Sequence, residues 1–135
     1  MTVLSIRRST LGRVKARTQL AALAALEAFF ATLGRRAEWV GDGPGLVGGR
    51  IVAQLVNEAC FALGEGVADA AAIDLGMVLG LNHPRGPLAW GDAIGPGAVL
   101  DTLLALWEEY REERYRPAPV LVRAVRAEAD LAAGD

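Results

Sequence analysis

Residues Pro44–Leu63 read PGLVGGRIVAQLVNEACFAL, and this stretch decides the fold. Leu46, Val47, Ile51, Leu55, Val56, Ala59 and Leu63 recur at helical spacing and can share one broad apolar face. The run Gly41-Asp42-Gly43-Pro44-Gly45 just before it breaks regular structure and marks the clearest internal boundary. Gly48-Gly49 sits near the start of the helical pattern, where each Gly costs about 1 kcal/mol relative to Ala. That cost points to a close approach to the backbone, either a crossing helix or a ligand chain.

Outward from this helix the same period repeats. On the N-terminal side, Leu20, Leu23, Leu26, Phe29, Phe30 and Leu33 predict a helix over 17–33, closed by Gly34. The short alternating run 35–40 predicts a strand. On the C-terminal side, Asp69 is placed to cap a helix carrying Ile73, Leu75, Met77, Val78 and Leu79. Asn82 to Pro87 is a loop, and Pro87 suits the first turn of a short helix with Leu88, Trp90 and Ile94. Gly95-Pro96-Gly97 interrupts again. Val99 to Tyr110 follows, with Leu100, Leu103, Leu104 and Trp107 expected inward, and Pro117 and Pro119 open a last helix. A tail from Leu131 is expected to fray. The sum is about six helices and one short strand, an all-α domain.

Composition agrees. The 135 residues are 53% hydrophobic and 22% charged, enough for one core. Aromatics make up 6%, so Ala, Leu and Val fill that core, which favours close helix packing. The formal net charge of −2 gives no overall attraction to nucleic acid. No acidic residue precedes Glu27, while Arg7, Arg8, Arg13, Lys15 and Arg17 are basic. A presequence-like start, a phosphate-binding arm and a solvated, frayed end all fit; the last is the plainest. No secretory h-region or stretch of transmembrane length is present, so no membrane role and a cytoplasmic place are expected. The single cysteine, Cys60, cannot form an internal disulfide and is expected to pack as a small hydrophobe. One Cys and one His do not make a structural zinc site.

Six short segments, in order, carry a resemblance. They are Pro44-Gly45-Leu46-Val47-Gly48-Gly49-Arg50, Val56-Asn57-Glu58-Ala59, Glu65-Gly66-Val67-Ala68 with Ile73-Asp74-Leu75-Gly76-Met77, Gly80 to Leu88, Ile94-Gly95, and Arg114 to Pro119. Together they resemble the helical C-terminal domain of L-3-hydroxyacyl-CoA dehydrogenases, the 6-phosphogluconate-dehydrogenase C-terminal-like fold. The resemblance divides the chain into an arm with a remnant helix and strand of a nucleotide-binding domain (1–43), the helical domain (44–128) and a tail (129–135).

This resemblance implies that the family's NAD-binding Rossmann domain, and the His–Glu pair that does its acid–base chemistry, lie outside this chain. Gly43-x-Gly45-x-x-Gly48 matches the bare dinucleotide pattern, but it contains Pro44 and lacks the strand–turn–helix setting. His83 does not match the catalytic His. The family's Asn in the Pro-Gly turn is Gly49 here, which has no side-chain amide to offer. The expected role is therefore a dimerising, acyl-CoA-cleft domain of fatty-acid metabolism and β-oxidation, inactive alone, with no cofactor of its own. Two alternatives stand beside it. One is a subunit that completes an NAD-dependent enzyme with a separate Rossmann chain. The other is a non-catalytic acyl-CoA-binding module.

The candidate cleft or interface residues are Gly48, Gly49, Arg50, Asn57 and His83. Asn57 fits a ligand contact or, more simply, a partner for buried backbone groups such as those of the 83–87 loop. Arg50 is expected to pair with Asp92 or Glu58. His83 is read as a loop-fixing or interface residue rather than a general base, since no nearby carboxylate would orient it. The charged run Glu108 to Arg114 is read as a solvated helix end with local ion pairs.

Overall fold

A computed structural model of the chain describes residues 3–7 and 16–133. The basic positions Arg8, Arg13 and Lys15, and the last residue, Asp135, lie outside the described residues. In chain order the elements are β1 (Val3–Arg7), α1 (Ala16–Thr32), β2 (Arg36–Val40), α2 (Gly48–Gly64), α3 (Ala70–Leu81), α4 (Pro87–Ile94), α5 (Pro96–Tyr110), a 3-10 turn (Glu113–Tyr115) and α6 (Pro119–Ala127). Among the described residues no helix is long and apolar enough to cross a membrane.

The chain divides into two units, residues 1–48 and 49–135. In the first, β1 and β2 pair in parallel, with Val3 opposite Arg36 and Arg7 opposite Val40. α1 connects them and packs on β2. A helix crossover is what a parallel pair requires, because a tight hairpin joins only antiparallel strands. The helix and β2 follow the sequence expectation. β1 corrects it: where a frayed end was the plainest reading, Val3-Leu4-Ser5-Ile6-Arg7 forms a strand. Its signal is a short run of apolar and β-branched residues before the arginines. Gly34 takes a positive φ of 66° after α1, as the expected stop requires.

The second unit is built around α2. Its buried residues are Ala53, Val56, Asn57, Ala59 and Cys60. This face differs from the expected one: Val47 and Ile51 are exposed, and the helix starts two residues later, after Leu46 turns with φ 50°. Leu88 of α4, Val99 and Leu103 of α5, and Ala118 and Leu121 around the start of α6 complete the core. α5 is also turned relative to expectation. Val99, Leu103 and Leu106 are buried, while Leu104 points outward.

The helix ends are set by local chemistry. Asp69 has extended backbone and its carboxylate accepts from the Ala72 amide at 2.8 Å. Such a cap contributes about 1 kcal/mol. Asn82, in the left-handed region, closes α3 two residues beyond Gly80. Gly95 at φ 97° separates α4 from α5, and Pro87, Pro96 and Pro119 each open a helix.

α4 has no side-chain cap of its own, because its N-cap is Gly86. Asp74 of α3 supplies one from outside. Its two carboxylate oxygens accept from the Leu88 and Ala89 amides at 2.8 and 2.9 Å. A Cβ at position 86 would lie 2.1 Å from Asp74 Cγ, so glycine there is a steric condition of the cap. The tail is a second correction. Leu131 is buried, and the Leu131 and Ala132 amides donate to the two oxygens of Asp92 at 2.7 and 2.9 Å. Replacing Asp74 by Ala removes both acceptors at the buried start of α4. Urea unfolding is expected to show a loss of about 1–3 kcal/mol with an unchanged m-value.

Candidate functional site

Arg50, Gln54 and Asn57 follow one another along α2 at i, i+4 and i+7, and so share one side of the helix. All three reach the segment around the 3-10 turn. Arg50 donates to the Tyr115 hydroxyl, and its guanidinium lies over the rings of Tyr110 and Tyr115 at 4.9 and 5.2 Å from their centroids. Gln54 donates to the Arg114 carbonyl at 3.0 Å. Asn57 donates through Nδ2 to the Arg116 carbonyl at 2.9 Å and accepts at Oδ1 from the Ala118 amide at 2.8 Å.

The structure thus brings Arg50 and Asn57 to the same segment, though not with the partners expected. Arg50 meets two tyrosines instead of Asp92 or Glu58; Asp92 is occupied by the tail. Asn57 satisfies a loop, but the loop is 116–118 rather than 83–87. Neither partner was legible from local sequence, since each lies about sixty residues further along the chain. The Arg114 guanidinium also lies over Tyr115, 4.8 Å from its centroid. The charged run behaves as read, with exposed ion pairs Arg111–Glu108 and Arg114–Glu112. Such pairs are worth at most about 1 kcal/mol each.

Gly48 and Gly49 occupy the first turn of α2. Both are exposed, and a Cβ at either position would meet nothing within 4 Å. The crossing helix that the pair suggested is therefore absent among the described residues, and the backbone there is open. His83 lies apart from this cluster, in the loop between α3 and α4. Its ring stands 5.9 Å from that of Trp90, and its buried Nδ1 has no hydrogen-bond partner.

Cys60 is fully buried. Burial, and secondarily the charge of Asp92, push its thiol up to about 12 from 9.0. A thiol of that kind is a packing group rather than a nucleophile. Because the folded pKa is raised, its contribution to stability is complete below about pH 9. It is lost as pH rises toward 12. Replacing Cys60 by Ala is expected to flatten that alkaline part of the stability profile, followed by urea midpoints.

Two opposed substitutions separate the parts of the site. Asn57→Ala strands a buried amide and a carbonyl and is expected to cost about 2–4 kcal/mol. Gly49→Ala adds a methyl group to open space in a helix and is expected to gain about 0.5–1 kcal/mol. Thermal melts of both variants check the pair. A loss at Gly49→Ala would contradict the open surface described for that turn.

Comparison with known proteins places this arrangement. The chain is 42% identical over 95 residues to a probable 3-hydroxybutyryl-CoA dehydrogenase of Bacillus subtilis, covering 70% of this chain and 33% of that protein. It is 39% identical over 110 residues to a 3-hydroxybutyryl-CoA dehydrogenase of Bradyrhizobium diazoefficiens, covering 82% and 38%. The crystal structure of the (S)-3-hydroxybutyryl-CoA dehydrogenase of Ralstonia eutropha superposes with a TM-score of 0.79 at 38% identity. That match covers 95% of this chain and 43% of the other. The chain therefore spans well under half the length of these relatives. The model of the 3-hydroxyacyl-CoA dehydrogenase C-terminal domain matches residues 45–131, which is well over half of the 135 residues. The chain belongs to the family of 3-hydroxyacyl-CoA dehydrogenase C-terminal domains.

Proposed function

We propose that this chain is the structural half of a 3-hydroxyacyl-CoA dehydrogenase, which self-associates and forms one wall of an acyl-CoA cleft without catalysing hydride transfer alone. On this reading it works in the cytoplasm in fatty-acid acyl-CoA metabolism; the acyl-CoA part is supported by relatives that are 3-hydroxybutyryl-CoA dehydrogenases. The observation that carries the reading is the outer face of α3. This helix has one charged residue, Asp74, and that residue is turned to the α4 amides. Leu75, Leu79 and Leu81 are left exposed, Leu79 to 74%. Gly76 and Gly80 lie one turn apart beside them, with nothing within 4 Å of a Cβ at either. A helix so apolar on its outer side needs cover, and small residues let a second helix come close. An isologous contact between two copies covers the same face on both.

Gly48, Gly49, Arg50, Asn57 and His83 remain the candidate cleft or interface residues. The bare first turn of α2 leaves room for an acyl or pantetheine chain beside the backbone. Gly49 leaves the cleft without the family's side-chain amide, which supports a non-catalytic part.

A second reading is favoured by the first unit. Parallel sheets are ordinarily covered on both faces, and a two-stranded sheet has marginal stability by itself. The β1–β2 pair carries α1 as its crossover, and Phe29 and Leu33 of that segment are exposed. A Rossmann domain from a separate NAD-binding chain would extend such a sheet and complete an enzyme.

Sedimentation velocity with the whole chain tests self-association. A dimer is expected, and Leu79→Glu is expected to convert it to monomer by placing a charge in the contact. A monomeric parent chain would remove this reading. Calorimetric titration with acetoacetyl-CoA on the same sample tests the cleft. Saturable binding at one site per chain would favour an acyl-CoA-binding module. An NAD-binding protein that co-purifies in fixed ratio would favour the second reading.

A further inference from the structure

α6 ends at Glu128, which turns into the left-handed region with φ 52°. The segment 129–132 then crosses to α4. Ala129, Asp130 and Ala132 are exposed, and Leu131 alone is buried, at 2%. Its hold is local. The Leu131 and Ala132 amides both donate to the carboxylate of Asp92, and the Leu131 side chain enters a notch over Gly91. A Cβ at position 91 would lie 2.7 Å from Leu131 Cδ1 and 2.9 Å from Val56 Cγ1. The notch exists because position 91 has no side chain, and Val56 stands at the same place.

Val56 is one helical turn before Cys60 on the buried side of α2, and Leu131 belongs to the same core cluster as both. Asp92 is near enough to Cys60 for its charge to act on the thiol. Leu131 thus meets the buried side of α2 at Val56, and Cys60 lies one turn further along that same side in the same cluster.

We propose that residues 129–132 form a releasable strap that gates solvent access to the Val56–Cys60 corner of the core, with Asp92 as its catch and Gly91 as its seat. Regions held by few buried contacts open before the whole molecule does. Among the described residues the strap is held by one apolar side chain and one carboxylate, and at its start by the Ala129 amide donating to the Ala124 carbonyl at 3.0 Å. Opening frees a notch sized for one branched aliphatic side chain. It also brings water toward a cysteine that is otherwise enclosed.

Cys60 is the single cysteine of the chain, so its labelling reports on one place. The test measures the rate at which Ellman's reagent labels the full chain, across a urea series below the unfolding transition. The expected rate depends on urea much less steeply than global unfolding followed by circular dichroism, since a strap exposes little surface. Leu131→Ala and Asp92→Ala are each expected to raise the rate at zero urea by about tenfold or more, as fits a local opening with fewer contacts to break. Leu104→Ala, at an exposed position on α5, is expected to leave it unchanged. A labelling rate that follows urea as steeply as complete unfolding would overturn the strap, because Cys60 would then be reached only through the unfolded state. The parent chain alone decides this point, even where a variant fails to fold.

Discussion

A buried side-chain amide fixes the helical unit. Asn57 lies on the inner face of α2 among Ala53, Val56, Ala59 and Cys60, with no exposure of its own. An amide there is tolerable only if its polar atoms are bonded, because an unmade bond in that position costs about 1–3 kcal/mol. The Arg116 carbonyl and the Ala118 amide supply those bonds. In exchange, the turn before α6 is pinned against the middle of α2. Tyr115 and Ala118 enter the core beside it, and Leu121 follows one turn into α6. The position of the last helix thus depends on one residue sixty positions earlier.

The same solution appears twice more, with carboxylates. Asp74 receives two successive amides at the start of α4, and Asp92 receives two successive amides of the tail. Each pair lies beside a glycine that leaves the space: Gly86 under Asp74, Gly91 under Leu131. A charged acceptor bonded to two amides is stronger than a neutral one and fixes orientation as well as distance. Several landmarks that carried the family resemblance therefore have mechanical reasons. The Asp of Ile73-Asp74 and the Gly of Arg85-Gly86-Pro87 are two halves of one cap.

Element type was legible where the signal is local. The period in 17–33, the cap at Asp69 and the prolines at 87 and 119 each act within one turn of the chain, and the structure follows them. What failed was anything set by distant neighbours. The inner faces of α2 and α5 are rotated because the partner helices, rather than the densest run of leucines, choose the side that is covered. Leu131 was read as frayed because one Leu among Ala, Asp and Gly has no period. Its place depends on Gly91 and Asp92, some forty residues earlier. Asp74 could have been found: a lone carboxylate in an otherwise apolar helix requires a partner.

The distribution of polar side chains bears on function. Acid–base chemistry needs a group whose protonation state can change while it touches substrate. Asn57, Asp74 and Asp92 each hold backbone groups, and Cys60 is kept protonated by burial. Arg50 lies over two adjacent tyrosine rings. Each of these polar groups is spent on shaping the unit. Among the described residues the outer side of α3 is apolar and the Gly48-Gly49 turn is bare backbone, while charged side chains such as Glu65, Arg85 and Glu108 are exposed elsewhere. The described polar groups that reach inward therefore hold backbone and ring partners of the unit itself. The amide and carboxylate clasps give the unit rigidity that depends on its own side chains, since each fixes a helix start or a turn at two points.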